Sequence, residues 1–357
     1  MIKNEICRAL LIVGVTMIFS VLIIPVVKKI AEHIGALDIP NERKVHKKPI
    51  PRLGGVGIFV AFLFGYMLFG KNITQLDTRM MSIIIGSFII VLTGIFDDIK
   101  PINALPKLIG QFAAAAVIVF YGGILLDKIS IFGQLIEFGF FAYPITLLFI
   151  VACTNIINLI DGLDGLSSGI SSIFYISAIV ICFFQSRFGV PEYVIALIAL
   201  GSTLGFLFHN FNPAKIFAGD SGAMFMGFII AVISLLGFKT TFATAVFAPI
   251  AILAVPILDT LFAILRRLIN HKHIYDADKE HLHHQLLKMN FSHRTTVLII
   301  YLITALFSAA SILYTLKDNS DHFIGRIIYI VLAIIVIIFV CKTDIIVKHN
   351  IIKKNKK

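Results

Sequence analysis

Charged residues are scarce in this chain of 357 residues, since Asp, Glu, Lys and Arg together make up only 14% of it. Soluble chains average about 25% charged residues, so this scarcity argues against a soluble nucleic-acid-binding protein and against disorder. Cysteine is also rare, and the four cysteines form no CxxC pair, which excludes a secreted scaffold held by disulfides. No HExxH sequence occurs, which argues against a zinc-dependent membrane protease.

Hydrophobic residues, in contrast, make up 58% of the chain, and the mean hydropathy is +0.96. A transmembrane helix needs about 20 mostly apolar residues, and a helix satisfies its own backbone hydrogen bonds in lipid. We therefore predict a single all-α polytopic integral membrane domain over 1–357, with about eleven transmembrane helices and a basic tail at 342–357. The apolar runs are 7–27, 54–70, 80–96, 108–125, 141–160, 166–184, 192–208, 222–238, 242–265, 296–315 and 324–341.

One segment between the fourth and fifth runs has a different pattern. From Asp127 to Phe140, apolar and polar residues alternate around Gly133. Alternation with a period of two is typical of a β-strand, and a central glycine is typical of a turn. We predict a short interfacial hairpin outside the membrane.

The distribution of charge predicts an orientation. Of the 31 Lys and Arg residues, 22 fall in alternate loops that would share one side of the membrane. The positive-inside rule makes that side cytoplasmic, so the N-terminus lies outside and the C-terminus is cytoplasmic. The same side also carries 13 of the 20 acids, which are costly beside apolar spans unless they face a metal, a base or water. We expect a cytoplasm-facing polar site on loops near 38–55, 97–107, 155–165, 211–222 and 266–294.

Two adjacent carboxylates, Asp97 and Asp98, end the third run at its cytoplasmic end. The carboxyl end of a helix carries a partial negative charge, which disfavours acids there. This pair therefore indicates a cation-linked site, with a solvated helix end as the alternative. Lys107 would supply a positive charge for a phosphate.

Polar side chains recur every three residues at the end of the fifth run: Asn155, Asn158, Asp161 and Asp164. Neighbours in this series share a helix face, and Gly162 and Gly165 then open the helix. Two asparagines in the end of an apolar span are costly in lipid unless they are paired. The series therefore favours a functional site over a plain polar helix end.

The remaining polar segments each have two interpretations. Asp220 precedes the eighth run and is either a helix N-cap, a metal ligand or both. His281, His283 and His284 have no nearby cysteine and no i, i+4 spacing, so we expect them to receive a phosphate or sugar rather than zinc. Arg43 and His46 lie in a first loop that either anchors the chain electrostatically or captures an anionic lipid head group.

Taken in order along one membrane side, these five segments resemble the polyprenyl-phosphate N-acetylhexosamine-1-phosphate transferase family. The resemblance covers the chain from Asp38 to Arg294. The interrupted sequence His281-Leu282-His283-His284 favours the branch that uses UDP-N-acetylglucosamine over the muramoyl-pentapeptide branch, which typically has three consecutive histidines. Departures occur at Lys272-His273-Ile274-Tyr275, where the branch often has Ser-Pro-Phe, and at Asn290, where it often has glycine.

The resemblance implies a bacterial plasma-membrane enzyme that is Mg²⁺-dependent, with Mn²⁺ as a substitute. A polyprenyl phosphate would attack the β-phosphorus of a UDP-sugar and release UMP, which gives the first lipid-linked intermediate of a cell-envelope polysaccharide. Association into a homodimer stays open. By motif, the resemblance implies Asp220 and Asn158 as metal ligands, Asp97, Asp98, Lys107 and Asp161 as catalytic residues, Asp164, Gly162 and Phe217 as uracil contacts, and Arg43, His46, His281, His283 and His284 as further substrate-binding residues.

A protein of another class, a cation-coupled transporter with intramembrane carboxylates, is the main competing interpretation. Transporters place charges near the bilayer midplane, often where a helix is broken. Most acids of this chain lie at one membrane face instead, and no apolar run is clearly halved. The sequence therefore favours an enzyme.

Overall fold

The computed structural model describes residues 2–40, 48–70, 78–131, 134–237, 253–269 and 282–316, and these residues are largely helical. A π-helical turn, Val117–Tyr121, extends the fourth helix. The helices are α1 (Ile2–His33), α2 (Gly54–Phe69), α3 (Thr78–Ile99), α4 (Ala104–Ala116), α5 (Ala142–Ile160), α6 (Leu166–Phe184), α7 (Pro191–Asn210), α8 (Gly219–Gly237), α9 (Ala254–Ile269), α10 (Leu282–Lys288) and α11 (His293–Leu316). The strands are β1 (Leu37–Asp38), β2 (Ile50–Pro51), β3 (Lys128–Ile131) and β4 (Gln134–Glu137).

The predicted all-α polytopic architecture is confirmed. Within the described residues, eight helical segments are long and apolar enough to cross a membrane, and they match the first, the third to eighth and the tenth predicted runs. Helix α2 matches the second run but has only 16 residues, roughly 24 Å of helix against a hydrocarbon core of about 30 Å. Helix α9 covers only the end of the ninth run. The rest of that run, the eleventh run and the basic tail lie outside the described residues, so the count of eleven and the orientation stay predictions.

The strand pairing of the hairpin predicted between the fourth and fifth runs is confirmed, and its place outside the membrane stays a prediction. Strands β3 and β4 pair antiparallel, with Ile129 opposite Ile136. Alternation places every second side chain on the same face of such a pair. The hairpin leads from α4 to a 3-10 turn, Gly139–Phe141, that runs directly into α5.

Helix α8 occupies the centre of the bundle. Its residues are apolar on all sides, which is typical of a helix buried among other helices, and the side chains from Ala223 to Val232 are buried. It packs against α2, α3, α5, α6 and α7. Helix α1 instead packs on α7 and α2 with one face, and it leaves side chains such as Leu10 and Leu22 exposed, as suits contact with lipid.

Helix ends gather at one end of this bundle. Helices α3, α5 and α7 end where α4, α6 and α8 respectively follow, and α2 and α11 begin at the same end. The connections there are short and polar, and they contain most of the residues singled out in the sequence. The fold therefore collects distant sequence segments at one bundle end.

Candidate active site

A cavity of about 760 Å³ opens at this end of the bundle. The loop before α2, the end of α5, the loop between α7 and α8 and the start of α11 contribute to its wall. Seven residues predicted from the sequence line it: Asn158, Asp161, Gly162, Asp164, Phe217, Asp220 and His284. The structure thus brings together predicted residues from segments far apart in the chain.

The other predicted residues fall into two groups. Arg43, His46 and His281 lie outside the described residues, as does the side chain of His283. Asp97, Asp98 and Lys107 lie directly behind Asp220 and are not among the described residues that line the cavity. These three residues decide how Asp220 is held.

Glycines allow α2 and α3 to approach the first turn of α8 very closely. A Cβ atom on Gly94 of α3 would overlap the backbone of Ser221, and one on Gly55 of α2 would overlap the backbone of Gly222. Only glycine lets helix backbones come this near, because any side chain would force them apart. These two contacts place the start of α2 and the last turns of α3 against the residues that begin α8.

Asp98 forms the cap of α8. Its carboxylate accepts hydrogen bonds from the backbone N–H groups of Asp220, at 2.8 Å, and Ser221, at 3.1 Å, and from the Ser221 hydroxyl at 2.7 Å. A carboxylate at the amino end of a helix satisfies orphan N–H groups and opposes the positive end of the helix dipole. Of the two interpretations of Asp220, that of an N-cap is therefore wrong, because α8 begins at Gly219 and Asp98 accepts its first N–H groups. The alternative of a solvated end for α3 is also wrong, since Asp98 is buried.

Because Asp98 caps the helix, the carboxylate of Asp220 is available for other contacts, and it lies among cations at the cavity wall. Its carboxylate forms an ion pair with Lys107, accepts a 3.3 Å hydrogen bond from the Asn158 amide, and lies 3.7 Å from the guanidinium of Arg52. Lys107 also contacts Asp97 at 3.2 Å. Three other helices or loops therefore hold one carboxylate in place.

A pair of amides supports this arrangement one turn deeper in the bundle. Gln111 of α4 donates to the Asn155 side-chain oxygen at 3.1 Å, and Asn155 of α5 donates back at 2.7 Å. Gln111 is buried and lies one turn after Lys107, while Asn155 lies one turn before Asn158. Two amides that bond each other avoid the free-energy cost of an unpaired polar group within an apolar bundle. This pair links α4 and α5, the two helices whose side chains contact Asp220.

Asp161 follows α5 at the cavity edge and accepts a hydrogen bond from the hydroxyl of Ser167. Burial raises the pKa of the Asp161 carboxyl to about 7, because removal from water penalises its charged form, and nearby Asp220 adds to the rise. A nearby cation would favour ionisation of this carboxyl. Its position beside Asp220 thus suits a site that receives positive charge.

Asp164 joins three segments of the cavity wall. One carboxylate oxygen accepts hydrogen bonds from the Asn212 amide at 2.8 Å and the Ala214 backbone N–H at 3.0 Å. The backbone N–H of Asp164 donates to His293 Nε2 at 2.9 Å, which requires that nitrogen to be unprotonated. Asp164 therefore links the turn after α5 to the loop before α8 and to the start of α11.

Three site residues were not singled out by sequence reasoning: Arg52, Asn210 and His293. Asn210 is buried, accepts a 3.0 Å hydrogen bond from Gly165 N–H, and donates to the Ile216 carbonyl at 2.9 Å. Arg52 and His293 lie in two of the loops predicted to form the site, 38–55 and 266–294, but resembled ordinary loop charges. Asn210 ends an apolar run, as Asn158 does, and this similarity was the available signal.

The donor set suits a hard divalent cation. The described carboxylates of this cluster outnumber its cations, Arg52 and Lys107. Mg²⁺ prefers one or two carboxylates completed by water and substrate phosphates, and an Asp220–Asn158 pair at an open cavity fits that preference. No group of three or more His, Cys, Asp or Glu residues forms a metal cage within the described ranges, so phosphates and water would have to complete the coordination.

Comparisons with known proteins agree with the residue pattern. The profile of glycosyl transferase family 4 matches residues 80–238. The chain is 42% identical to the probable undecaprenyl-phosphate N-acetylglucosaminyl 1-phosphate transferase of Bacillus subtilis (strain 168), over 87% of this chain and 86% of the relative. It is also 34% identical to a decaprenyl-phosphate N-acetylglucosaminephosphotransferase of Mycobacterium tuberculosis, over 90% and 87% of the two chains. The undecaprenyl-phosphate alpha-N-acetylglucosaminyl 1-phosphate transferase of Escherichia coli O157:H7 is 27% identical over 89% and 86%.

Proposed function

This chain belongs to the polyprenyl-phosphate N-acetylhexosamine-1-phosphate transferase family, and on that premise we propose that it transfers N-acetylglucosamine-1-phosphate from UDP-N-acetylglucosamine to undecaprenyl phosphate. The observation that carries the proposal is the Asp220 carboxylate, held by Lys107, Arg52 and Asn158 beside a cavity of about 760 Å³. Such a site suits a substrate with several phosphate charges.

The proposed reaction is a phosphoryl transfer. A phosphate oxygen of the polyprenyl phosphate attacks the β-phosphorus of the donor and forms a new P–O bond. The bond from that phosphorus to the bridging oxygen breaks, and UMP leaves with both bonding electrons. The products are a polyprenyl diphosphate sugar and UMP, and no oxidant or external nucleophile is needed.

The residues of the chain would act mainly by placing two anions that repel each other. Asp220 and Asn158 would hold Mg²⁺, which when bound neutralises charge on the diphosphate. Lys107 balances Asp220 and Asp97, and Asp98 fixes the first turn of α8 from which Asp220 projects. Asp97 remains our candidate for accepting a proton from a singly ionised lipid phosphate, although no strong base is required because the phosphate is already a nucleophile.

We place this site at the cytoplasmic face of a bacterial plasma membrane. The bias of Lys and Arg toward one set of loops supports this placement. Lys28, Lys48 and Lys215 all lie around the cavity, which therefore belongs to the positively charged side. A nucleotide-sugar would reach it from the cytoplasm, and the lipid phosphate would reach it from the membrane.

A transporter is a weaker interpretation of the same residues. Its polar groups would lie near the middle of the bilayer, whereas the described carboxylates gather where helices begin and end. The muramoyl-pentapeptide branch is disfavoured by the interrupted histidine sequence and by the names of the relatives. N-acetylglucosamine is therefore the preferred donor sugar.

A donor panel tests the proposal. Purified protein with undecaprenyl phosphate and Mg²⁺ would be given UDP-N-acetylglucosamine, UDP-N-acetylgalactosamine or the muramoyl-pentapeptide nucleotide, and UMP release would be measured. We expect UDP-N-acetylglucosamine to give the highest rate and expect no release without the lipid. Preferential use of the muramoyl-pentapeptide nucleotide would move the chain to the other branch.

Replacing Phe217 with alanine tests where the uracil lies. The ring lines the cavity, and the residue's backbone is bonded to Pro51 and Gly54. If the ring stacks on uracil, Phe217→Ala should weaken nucleotide binding by roughly 1–3 kcal/mol, the scale of base–aromatic stacking. The change should appear as a higher KM for the UDP-sugar, with the KM for lipid phosphate nearly unchanged.

Phe217→Tyr is the matched control, because it keeps an aromatic face and should retain much of the affinity. Equal weakening toward both substrates in Phe217→Ala would indicate general destabilisation. An unchanged nucleotide KM would show that the ring is a packing residue and that uracil binds elsewhere.

A further inference from the structure

We propose that Arg52 is a phosphate-binding residue that contacts the diphosphate of the donor, a role that rests on the function proposed above. Arg52 lies directly before α2 and lines the cavity. Lys107, the residue expected from the sequence to meet the phosphate, lies behind Asp220 and is paired with Asp220 and Asp97. Of these two cations, Arg52 is therefore the one that lines the cavity and can meet a phosphate there.

Among the described residues, Arg52 forms ion pairs with carboxylates that lie beyond tight hydrogen-bond distance. Its guanidinium lies 3.5 Å from Asp38, 3.5 Å from Asp98 and 3.7 Å from Asp220. Charge-assisted N–H···O bonds are about 2.7–2.9 Å long. These described carboxylates thus hold the cation electrostatically, and their long contacts leave N–H donors of the guanidinium for an oxygen ligand that approaches through the cavity.

The backbone around Arg52 is fixed on both sides. Its own N–H donates to the Ala36 carbonyl at 3.0 Å, and the carbonyl of Pro51 accepts from Phe217 N–H at 2.8 Å. The side chain therefore starts from a rigid point, and 23% of it is exposed. Rigid placement lowers the entropy lost when a ligand orders a long side chain.

The position of Arg52 favours the donor diphosphate as its ligand. Its guanidinium lies 3.7 Å from Asp220, the candidate metal ligand, and the preceding residue, Pro51, accepts a backbone hydrogen bond from Phe217, the candidate uracil contact. A diphosphate that joins a uridine at Phe217 to a metal at Asp220 would therefore pass close to Arg52. Near Asp98, Asp220 and Asp161 such an anion would be repelled unless a cation faced it, and the planar guanidinium matches two phosphate oxygens at once.

The test is a series of competing ligands that differ only in phosphate number. Inhibition of transfer by uridine, UMP and UDP would be measured for the wild type and for Arg52→Lys, which keeps the charge that balances the carboxylates but loses the fork. We expect Arg52→Lys to weaken UDP by about 10-fold or more, to weaken UMP less, and to leave uridine nearly unchanged. The midpoint of thermal unfolding would verify that the variant is folded.

Arg187→Lys is the matched control, since Arg187 pairs with the buried Glu192 and bonds the Gly237 carbonyl at 2.9 Å at the opposite ends of α6 and α8. It should leave the dependence on phosphate number unchanged. Equal losses for uridine, UMP and UDP in Arg52→Lys, or no loss, would overturn the inference and leave Arg52 a structural cation. A change confined to the KM for polyprenyl phosphate would overturn the assignment to the donor.

Failure of the proposed function would look different. In that case the wild type itself would release no UMP and would show no gain in affinity from uridine to UDP. A wild type that prefers UDP, combined with an unaltered preference in Arg52→Lys, would retain the function and reject only the role of Arg52.

Discussion

Asp220→Asn should remain folded and lose transfer by at least about 100-fold, the scale of removing one preorganised electrostatic group from an active site. The helix should survive because Asp98, rather than Asp220, accepts the N–H groups of the first turn of α8. The loss should be catalytic because Lys107 and Arg52 would no longer face a carboxylate there. Initial transfer rates and thermal unfolding midpoints, measured on the same preparation, separate the two effects.

Asp38→Asn is the matched control for this change. It also removes one carboxylate from Arg52, at 3.5 Å, but Asp38 lies in β1 and is not among the described contacts of Lys107 or Asn158. We expect a much smaller loss of transfer. Near-normal turnover by a folded Asp220→Asn protein would reduce Asp220 to a structural partner of Lys107 and would remove the proposed metal ligand.

Gly219→Ala should have a comparably large effect for a steric reason. Gly219 has φ = +67°, and a Cβ there would overlap both the carbonyl oxygen of Arg52 and the carboxylate of Asp98. The left-handed backbone alone costs a non-glycine residue roughly 1–2 kcal/mol. The overlap adds to this cost by pushing Asp98 and Arg52 away from the start of α8, so transfer should fall by about 100-fold or more.

Gly123→Ala separates strain from overlap. Gly123 has a similar φ of +60°, but a Cβ at that position would meet nothing within 4 Å. It should therefore show the cost of the left-handed backbone in its unfolding midpoint and keep most of its activity. Equal activity in the two variants would contradict the view that the contact of Asp98 and Arg52 with α8 fixes the site.

Much of the fold was predictable because it follows from local pattern. Eight predicted apolar runs correspond to helical segments able to cross a membrane, and the alternating segment forms the hairpin β3–β4. The grouping of polar motifs at one bundle end also followed, since acids and amides at the ends of apolar runs must share a polar environment. Asn158, Asp161 and Asp220 meet there as expected.

The roles within the site were harder to predict, because they depend on contacts distant in the chain. The cap of α8 comes from Asp98 across more than a hundred residues, whereas local sequence favours the adjacent Asp220. Gln111 stood within an apolar run with nothing to indicate its partner, Asn155. Arg52 resembles a loop cation in the sequence, because its contact with Asp220 depends on the close packing of α2 and α3 against α8 that Gly55 and Gly94 permit.

The most direct test of the central claim follows the β-phosphate of the donor. Purified protein would receive UDP-N-acetylglucosamine labelled with ³²P at the β-phosphorus, together with undecaprenyl phosphate and Mg²⁺, and the lipid and aqueous phases would be separated. Transfer of sugar-1-phosphate predicts that the label enters the lipid phase in step with the release of unlabelled UMP. Label that stays in the aqueous phase as UDP while sugar enters the lipid, or no movement of label at all, would contradict the proposed reaction.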